Sequence, residues 1–99
     1  MIAIIAQHIV IEGNEKKALE LIRDNGRRMS QFPGFRKRYT FIAKDNPPKL
    51  STFTIWDSQE DAARWKGSDS WKERASERAR LWATRPQTEA FELVPEFDS

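Results

Sequence analysis

The chain has 99 residues, read as a single domain over 1–99, with no Cys, one His, and 17 Lys and Arg against 15 Asp and Glu for a net charge of +2. This composition excludes disulfides, thiolate catalysis and sulfur-ligated zinc, and it lacks the clustered basic excess of a dedicated nucleic-acid binder. No stretch approaches the ~20 apolar residues that cross a bilayer, and the apolar start lacks a basic n-region and a cleavage site, so a cytoplasmic protein without a membrane partner is expected.

Ile2 to Ile11 reads as a strand rich in Ile and Val. One face carries Ile2, Ile4, Ala6, His8 and Val10, the other Ala3, Ile5, Gln7, Ile9 and Ile11. Both faces are mainly apolar, so both should be covered. Glu12-Gly13-Asn14 is a turn with Asn14 placed as an N-cap, and Ala18, Leu19, Ile22 and Met29 then form one stripe of a helix over 15–30. Gly26 inside it weakens the helix by ~1 kcal/mol relative to Ala or permits close packing.

Phe32-Pro33-Gly34-Phe35 ends the helix and turns the chain. A second strand follows over 35–43, with Phe35, Lys37, Tyr39, Phe41 and Ala43 on one face and Arg36, Arg38, Thr40 and Ile42 on the other. Residues 44–48 form a hairpin-length loop, and Leu50 to Trp56 is a third strand, β-branched and aromatic. Ser58 with Asp61 approximates a capping box for a helix that Gly67-Ser68-Asp69 breaks. A further helix is expected over 70–83, with Trp71, Ala75, Arg78 and Trp82 on one stripe. Arg85-Pro86 ends it, and a last strand over 89–94 turns Phe91 and Leu93 inward, before a short tail.

The order is β-α-β-β-α-β with the second helix broken in two, the α+β, ferredoxin-like pattern with an antiparallel sheet. Its helices cover one sheet face only. The other face carries large apolar groups that should not stay wet, so pairing of two copies through that face is expected. A chain this small has little room for a large ligand cavity within one copy.

Two charged segments invite other readings. Residues 35–41 interleave basic and aromatic side chains, as RNA-recognition domains do on a sheet of the same order. The first strand lacks the aromatic that module needs, so a solvated, charged sheet edge is the better account and no nucleic-acid partner is expected. Residues 66–80, charge-rich and containing Trp71, invite a membrane-surface reading, but Asp69, Glu73 and Glu77 offset the basic groups, so a solvated face with i,i+4 pairs is the better account.

The first strand leading to Gly13, the Phe32-Pro33-Gly34-Phe35 turn, Thr54-Ile55-Trp56-Asp57-Ser58, Glu60-Asp61-Ala62, Trp65, Ser68-Asp69 and the terminal Phe91-Glu92-Leu93-Val94 together resemble the antibiotic biosynthesis monooxygenase superfamily, over nearly the whole chain. The run from Trp56 to Asp69 carries most of the likeness. The resemblance implies two ferredoxin-like sheets facing each other in a homodimeric α/β barrel, with a pocket between sheet and helices in each copy.

One branch of that superfamily degrades haem. Trp65 matches its Trp, and Gln7 lies where its Asn falls. Its iron-binding His would fall at Ala75, so the axial ligand that haem iron needs is missing. The other branch oxidises quinol-like or polycyclic aromatics with O2 and no cofactor, needing a base, a dry aromatic pocket and a few polar anchors. The resemblance therefore implies a cofactor-independent monooxygenase acting on a small aromatic ligand. A non-catalytic ligand-binding dimer and a haem protein with an unusual ligand are the alternatives.

His8 is the candidate base, being the one side chain with an ordinary pKa near neutrality; a buried, inert strand histidine is the competing account. Gln7, Tyr39, Thr54 and Trp65 are candidate substrate contacts. Gln7 and His8 point to opposite faces, so at most one of them can reach a given pocket. Trp71 and Trp82 read as helix–sheet core. One His, no Cys and scattered carboxylates argue against a metal site.

Overall fold

The computed structural model describes residues 1–46 and 49–96. The elements run β1 (Ile2–Ile9), α1 (Glu15–Met29), β2 (Phe35–Ile42), β3 (Lys49–Trp56), α2 (Gln59–Lys66), α3 (Asp69–Lys72), α4 (Ala75–Ala79) and β4 (Gln87–Glu92). The sheet is antiparallel with order β2-β3-β1-β4. This is the ferredoxin-like α+β arrangement, with β1 and β3 at the centre. The loop expected over 44–48 and the tail over 95–99 lie partly outside the described residues, at 47–48 and 97–99.

Register sorts the side chains. Ile4 faces Thr54, Ala6 faces Thr52 and His8 faces Leu50 across β1 and β3. Arg38 sits opposite Thr54, Thr40 opposite Thr52 and Ile42 opposite Leu50 across β2 and β3. The even positions of β3 are all buried, and the odd ones are half-buried. The helices cover the even face.

Local chemistry sets the breaks between elements. Gly34 adopts φ +87°, which L side chains rarely take, and a Cβ there would collide with the Asp61 carboxylate. That close approach brings the turn before β2 against the first turn of α2. The Ser58 Oγ accepts from the Asp61 N–H at 3.2 Å and caps α2. Ser68 repeats the device by accepting from the Trp71 N–H at 3.1 Å, so the chain restarts a helix at once instead of unravelling. Asn14 stands at the N-cap of α1 but makes no side-chain cap bond; the Glu15 carboxylate accepts from the Gly13 N–H at 3.0 Å instead.

Three expectations change. The helix expected over 70–83 is two short helices, parted at Glu73 and Arg74. Phe91 does not turn inward: it lies at 41% exposure on the uncovered face, and Leu93 follows the end of β4. A bulge between Phe35 and Lys37 shifts Phe35 out of the alternation of β2 and sets its ring edge-on to Trp56, centroids 5.7 Å apart.

The core forms two clusters. Val10, Ala18, Leu21, Ile22, Leu50 and Leu81 make one; Met29, Trp56, Ala62 and Trp65 make the other. Members of both line a single cavity between sheet and helices. None of the described helices is long and apolar enough to cross a membrane.

Candidate functional site

The cavity measures about 510 Å³, within the range of small-molecule sites, so one copy has more room than its length suggests. Its floor is the covered sheet face: Ile4, Ala6, His8, Arg38, Thr52, Thr54 and Trp56. Its walls come from α1 through Leu21, Ile22, Asn25 and Met29. Its roof comes from α2 to α4 and the chain after them, through Trp65, Trp71, Arg78 and Trp82. All four tryptophans of the chain face this one space.

His8 stands at one end. Its Nδ1 lies 3.0 Å from the carbonyl oxygen of Leu50, the residue opposite it in the register. A carbonyl only accepts, so Nδ1 carries the proton and the neutral ring keeps a free lone pair on Nε2. Burial pushes the His8 pKa below the ordinary 6.5, the Leu50 hydrogen bond opposes that shift, and the charge of Arg38 lowers it further. The ring is therefore neutral at pH 7. Trp82 covers it with centroids 4.5 Å apart. The backbone places Trp82 there: Val10 and Trp82 form a bridge, the Ile11 N–H donates to Leu81 at 2.9 Å and the Ala83 N–H to Ile9 at 2.7 Å.

Arg38 stands toward the other end. The charged-edge reading of residues 35–41 fails at this residue, which turns under α1. Its Nη1 donates to Thr54 Oγ1 at 3.2 Å and approaches Met29 Sδ at 3.5 Å. A Cβ on Gly26 would sit 3.0 Å from the Arg38 Cδ and Nε, so the glycine in α1 gives the arginine its passage. Burial lowers the Arg38 pKa to about 10, and among the described residues no carboxylate pairs with it.

The roof is built on charge. Asp24 of α1 holds Arg28 at 3.3 Å and Arg74 at 2.7 Å, while Arg28 reaches Glu73 at 3.2 Å and the Ser70 carbonyl at 2.7 Å. Those contacts tie α3 and α4 to α1. Arg78 is 9% exposed and lies 3.7 Å over the Trp71 ring. Three buried polar atoms of cavity-lining residues have no partner: Asn25 Oδ1, Trp65 Nε1 and Arg78 Nη1.

Of the expected site residues, His8, Thr54 and Trp65 come together in this cavity. Gln7 does not; it lies on the opposite sheet face, in a shallow depression with Ile5, Gln87 and Phe91. Tyr39 is also on that face, half exposed and tilted against Phe53 at 6.2 Å. Trp71 and Trp82, read as core, line the cavity, as does Ala75. Arg38 and Arg78 escaped sequence reasoning because each sits in a run of basic residues, where nothing distinguishes a buried guanidinium from a solvated one.

The topology defines a ferredoxin-like α+β domain with a cavity between sheet and helices. The chain belongs to the antibiotic biosynthesis monooxygenase family, whose model matches residues 1–77. No curated protein matches it in sequence. Among solved structures, a candidate antibiotic biosynthesis monooxygenase from Nitrosomonas europaea superimposes with a TM-score of 0.88 at 17% identity, over 96% of this chain and 100% of the other. SnoaB, a cofactor-independent oxygenase from Streptomyces nogalater, gives 0.87 at 11% identity over 99% and 97%. Rv0793 from Mycobacterium tuberculosis gives 0.86 at 14% identity over 98% of each chain. At such identities the likeness shows a shared fold from end to end.

Proposed function

We propose that this protein is a cofactor-independent monooxygenase that oxidises a small aromatic, quinol-type substrate with O2. The observation that supports it most is a neutral His8, fixed in one tautomer by Leu50, at the end of a cavity walled by tryptophans. Family membership supplies the reaction type, and SnoaB is a neighbour of the same fold described as a cofactor-independent oxygenase.

In this reading His8 Nε2 takes the phenolic proton. The phenolate passes one electron to O2, and the resulting radical and superoxide combine at a ring carbon. The peroxide anion that forms takes the proton back from His8, and the hydroperoxide then loses water: the O–O bond breaks, the hydrogen on that ring carbon leaves as the proton that completes the water, and the carbon becomes the carbonyl of a quinone. One O2 thus becomes one product oxygen and one water. Thr54 and Trp65 serve as substrate contacts, by hydrogen bond and by stacking, and the tryptophan walls keep water from the radical pair.

The uncovered sheet face is proposed to pair with a second copy. Tyr39, Phe41 and Phe91 are 48%, 52% and 41% exposed there, beside the half-buried Ile5, Phe53 and Ile55. A contiguous apolar patch of this kind is the mark of an interface.

The test is oxygen uptake by the purified protein with anthrones, naphthols and reduced quinols, using boiled protein as control and ¹⁸O2 to trace the product oxygen. Protein-dependent uptake with label in a quinone product is the expected result. One observation favours a second reading, a binding dimer without turnover: His8 is oriented by a backbone carbonyl, and no carboxylate among the described residues lines the cavity to complete an acid–base pair. Tight aromatic binding with no uptake across the panel would select it.

A further inference from the structure

The described lining of the cavity contains Arg38, Lys66, Arg78 and Arg85, and no Asp or Glu. The chain as a whole is nearly balanced, 17 basic against 15 acidic side chains, so this one-signed lining is a local feature. Three acidic groups beside the roof are already engaged: Asp24, Glu73 and Glu77 pair with Arg28 and Arg74. Arg38 differs from those arginines. It sits on the sheet floor under α1, has hydrogen bonds only to a neutral hydroxyl and a thioether, and lacks a described counter-ion. A half-buried cation without a counter-ion is a standing cost to the fold. The unpartnered Asn25 Oδ1, Trp65 Nε1 and Arg78 Nη1 of the same cavity lining add further unmet hydrogen bonding.

We infer that the cavity takes an aromatic carboxylate, its carboxylate held by the Arg38 guanidinium and its fused rings lying among Trp65, Trp71 and Trp82. The planar fork of arginine matches a carboxylate in two parallel hydrogen bonds, and both groups lose water in the same step. Thr54 Oγ1, already accepting from Nη1, fixes the fork. His8 stands opposite Leu50 and Arg38 opposite Thr54, four residues apart along β3, so an acid of fused rings held at the arginine extends toward the base. Arg38 is thus a specificity residue for the site, a role that rests on reading this cavity as the substrate site. It does not depend on turnover.

The experiment titrates anthraquinone-2-carboxylate and its neutral carboxamide into the intact protein, read by tryptophan quenching and by calorimetry. The expected result is a carboxylate preference of about 10- to 100-fold, the worth of a charge-assisted hydrogen bond to a buried partner. In Arg38→Met that preference collapses, while the melting temperature of the ligand-free protein holds or rises, because an uncompensated charge has gone. A merely structural arginine would lower the melting temperature and leave the ratio of the two affinities unchanged. Equal affinity of the wild type for carboxylate and carboxamide would overturn the proposal, and this needs no variant that folds. Persistence of the preference in Arg38→Met would overturn the assignment to Arg38. Both probes are already oxidised, so failure of oxygen uptake with intact carboxylate preference would sink the monooxygenase reading alone.

Discussion

The two faces of the sheet differ in what their side chains are left to meet. The face under the helices holds a histidine, buried threonines at 52 and 54 and an unpaired arginine, whereas the face without helices holds Tyr39, Phe41, Phe53, Ile55 and Phe91. The covered face sets these polar groups among Ile4, Ala6, Leu50 and Trp56, and the open face leaves aromatics in solvent, which fits a polar aromatic ligand inside and an apolar surface outside. Residues 7 and 8 show it in miniature, since one peptide bond separates a side chain in the cavity from one on the open face.

The largest break in this comparison should come from the inner face. His8→Ala is expected to lower kcat by about 10²- to 10⁴-fold, the usual worth of a positioned base, with ligand binding by tryptophan quenching largely kept. Equal turnover in the variant would remove His8 from the mechanism. Next, Trp56→Ala should destabilise the fold by about 3–5 kcal/mol in urea unfolding, because its ring is 1% exposed and packs edge-on against Phe35. A much smaller loss would mean that the bulged turn into β2 can collapse onto the gap.

The outer face is tested by Phe41→Asp. A charge on the most exposed aromatic of the patch should shift the monomer–dimer equilibrium by about 10-fold or more in sedimentation, while carboxylate binding within each copy persists. A wild type that sediments as a monomer would leave the outer aromatics without an occupant.

The pH profile sharpens the inner face at both limits. The His8 pKa is lowered, so kcat/KM should rise with pH at a point below 6.5 and then stay flat through neutrality. The sign for stability agrees: a buried neutral histidine contributes fully above the unfolded value of 6.5, and its contribution fades as pH falls through the lowered folded value. At the alkaline limit carboxylate affinity should fall as the pH approaches about 10, to which burial lowers the Arg38 pKa. The smallest effect belongs to the roof. Asp24→Asn removes the anion shared by Arg28 and Arg74, and should lower the melting temperature only modestly, since the pairs lie at the partly exposed rim of the roof and Asn keeps the shape of the side chain. It should also flatten the acid limb of stability below pH 3.8, because the paired Asp24 carboxyl titrates below that value.

Much of the fold was legible because its signals are local. The Ile- and Val-rich first strand, the Phe32-Pro33-Gly34-Phe35 turn, the Ser58 cap and the Gly67-Ser68-Asp69 break each depend on residues a few positions apart. The site was legible in part: His8, Thr54 and Trp65 meet, but Gln7 and Tyr39 face away, and Arg38 and Arg78 were hidden in basic runs. Even the helix over 70–83 was misread without harm to its stripe, since Trp71, Ala75, Arg78 and Trp82 all reach the cavity after the chain breaks at 73–74.

Sequence by itself determined the order of elements, their approximate ends, the antiparallel ferredoxin-like class and the family likeness, because periodicity, capping and turn chemistry act within a few residues. Tertiary structure alone decided which of Gln7 and His8 faces the helices, since alternation separates the two faces of a strand without saying which one is covered. It also decided that Arg38 is half-buried and, among the described residues, unpaired. That fact depends on Gly26 and Thr54, twelve and sixteen positions away in sequence, and on which carboxylates packing leaves within its reach.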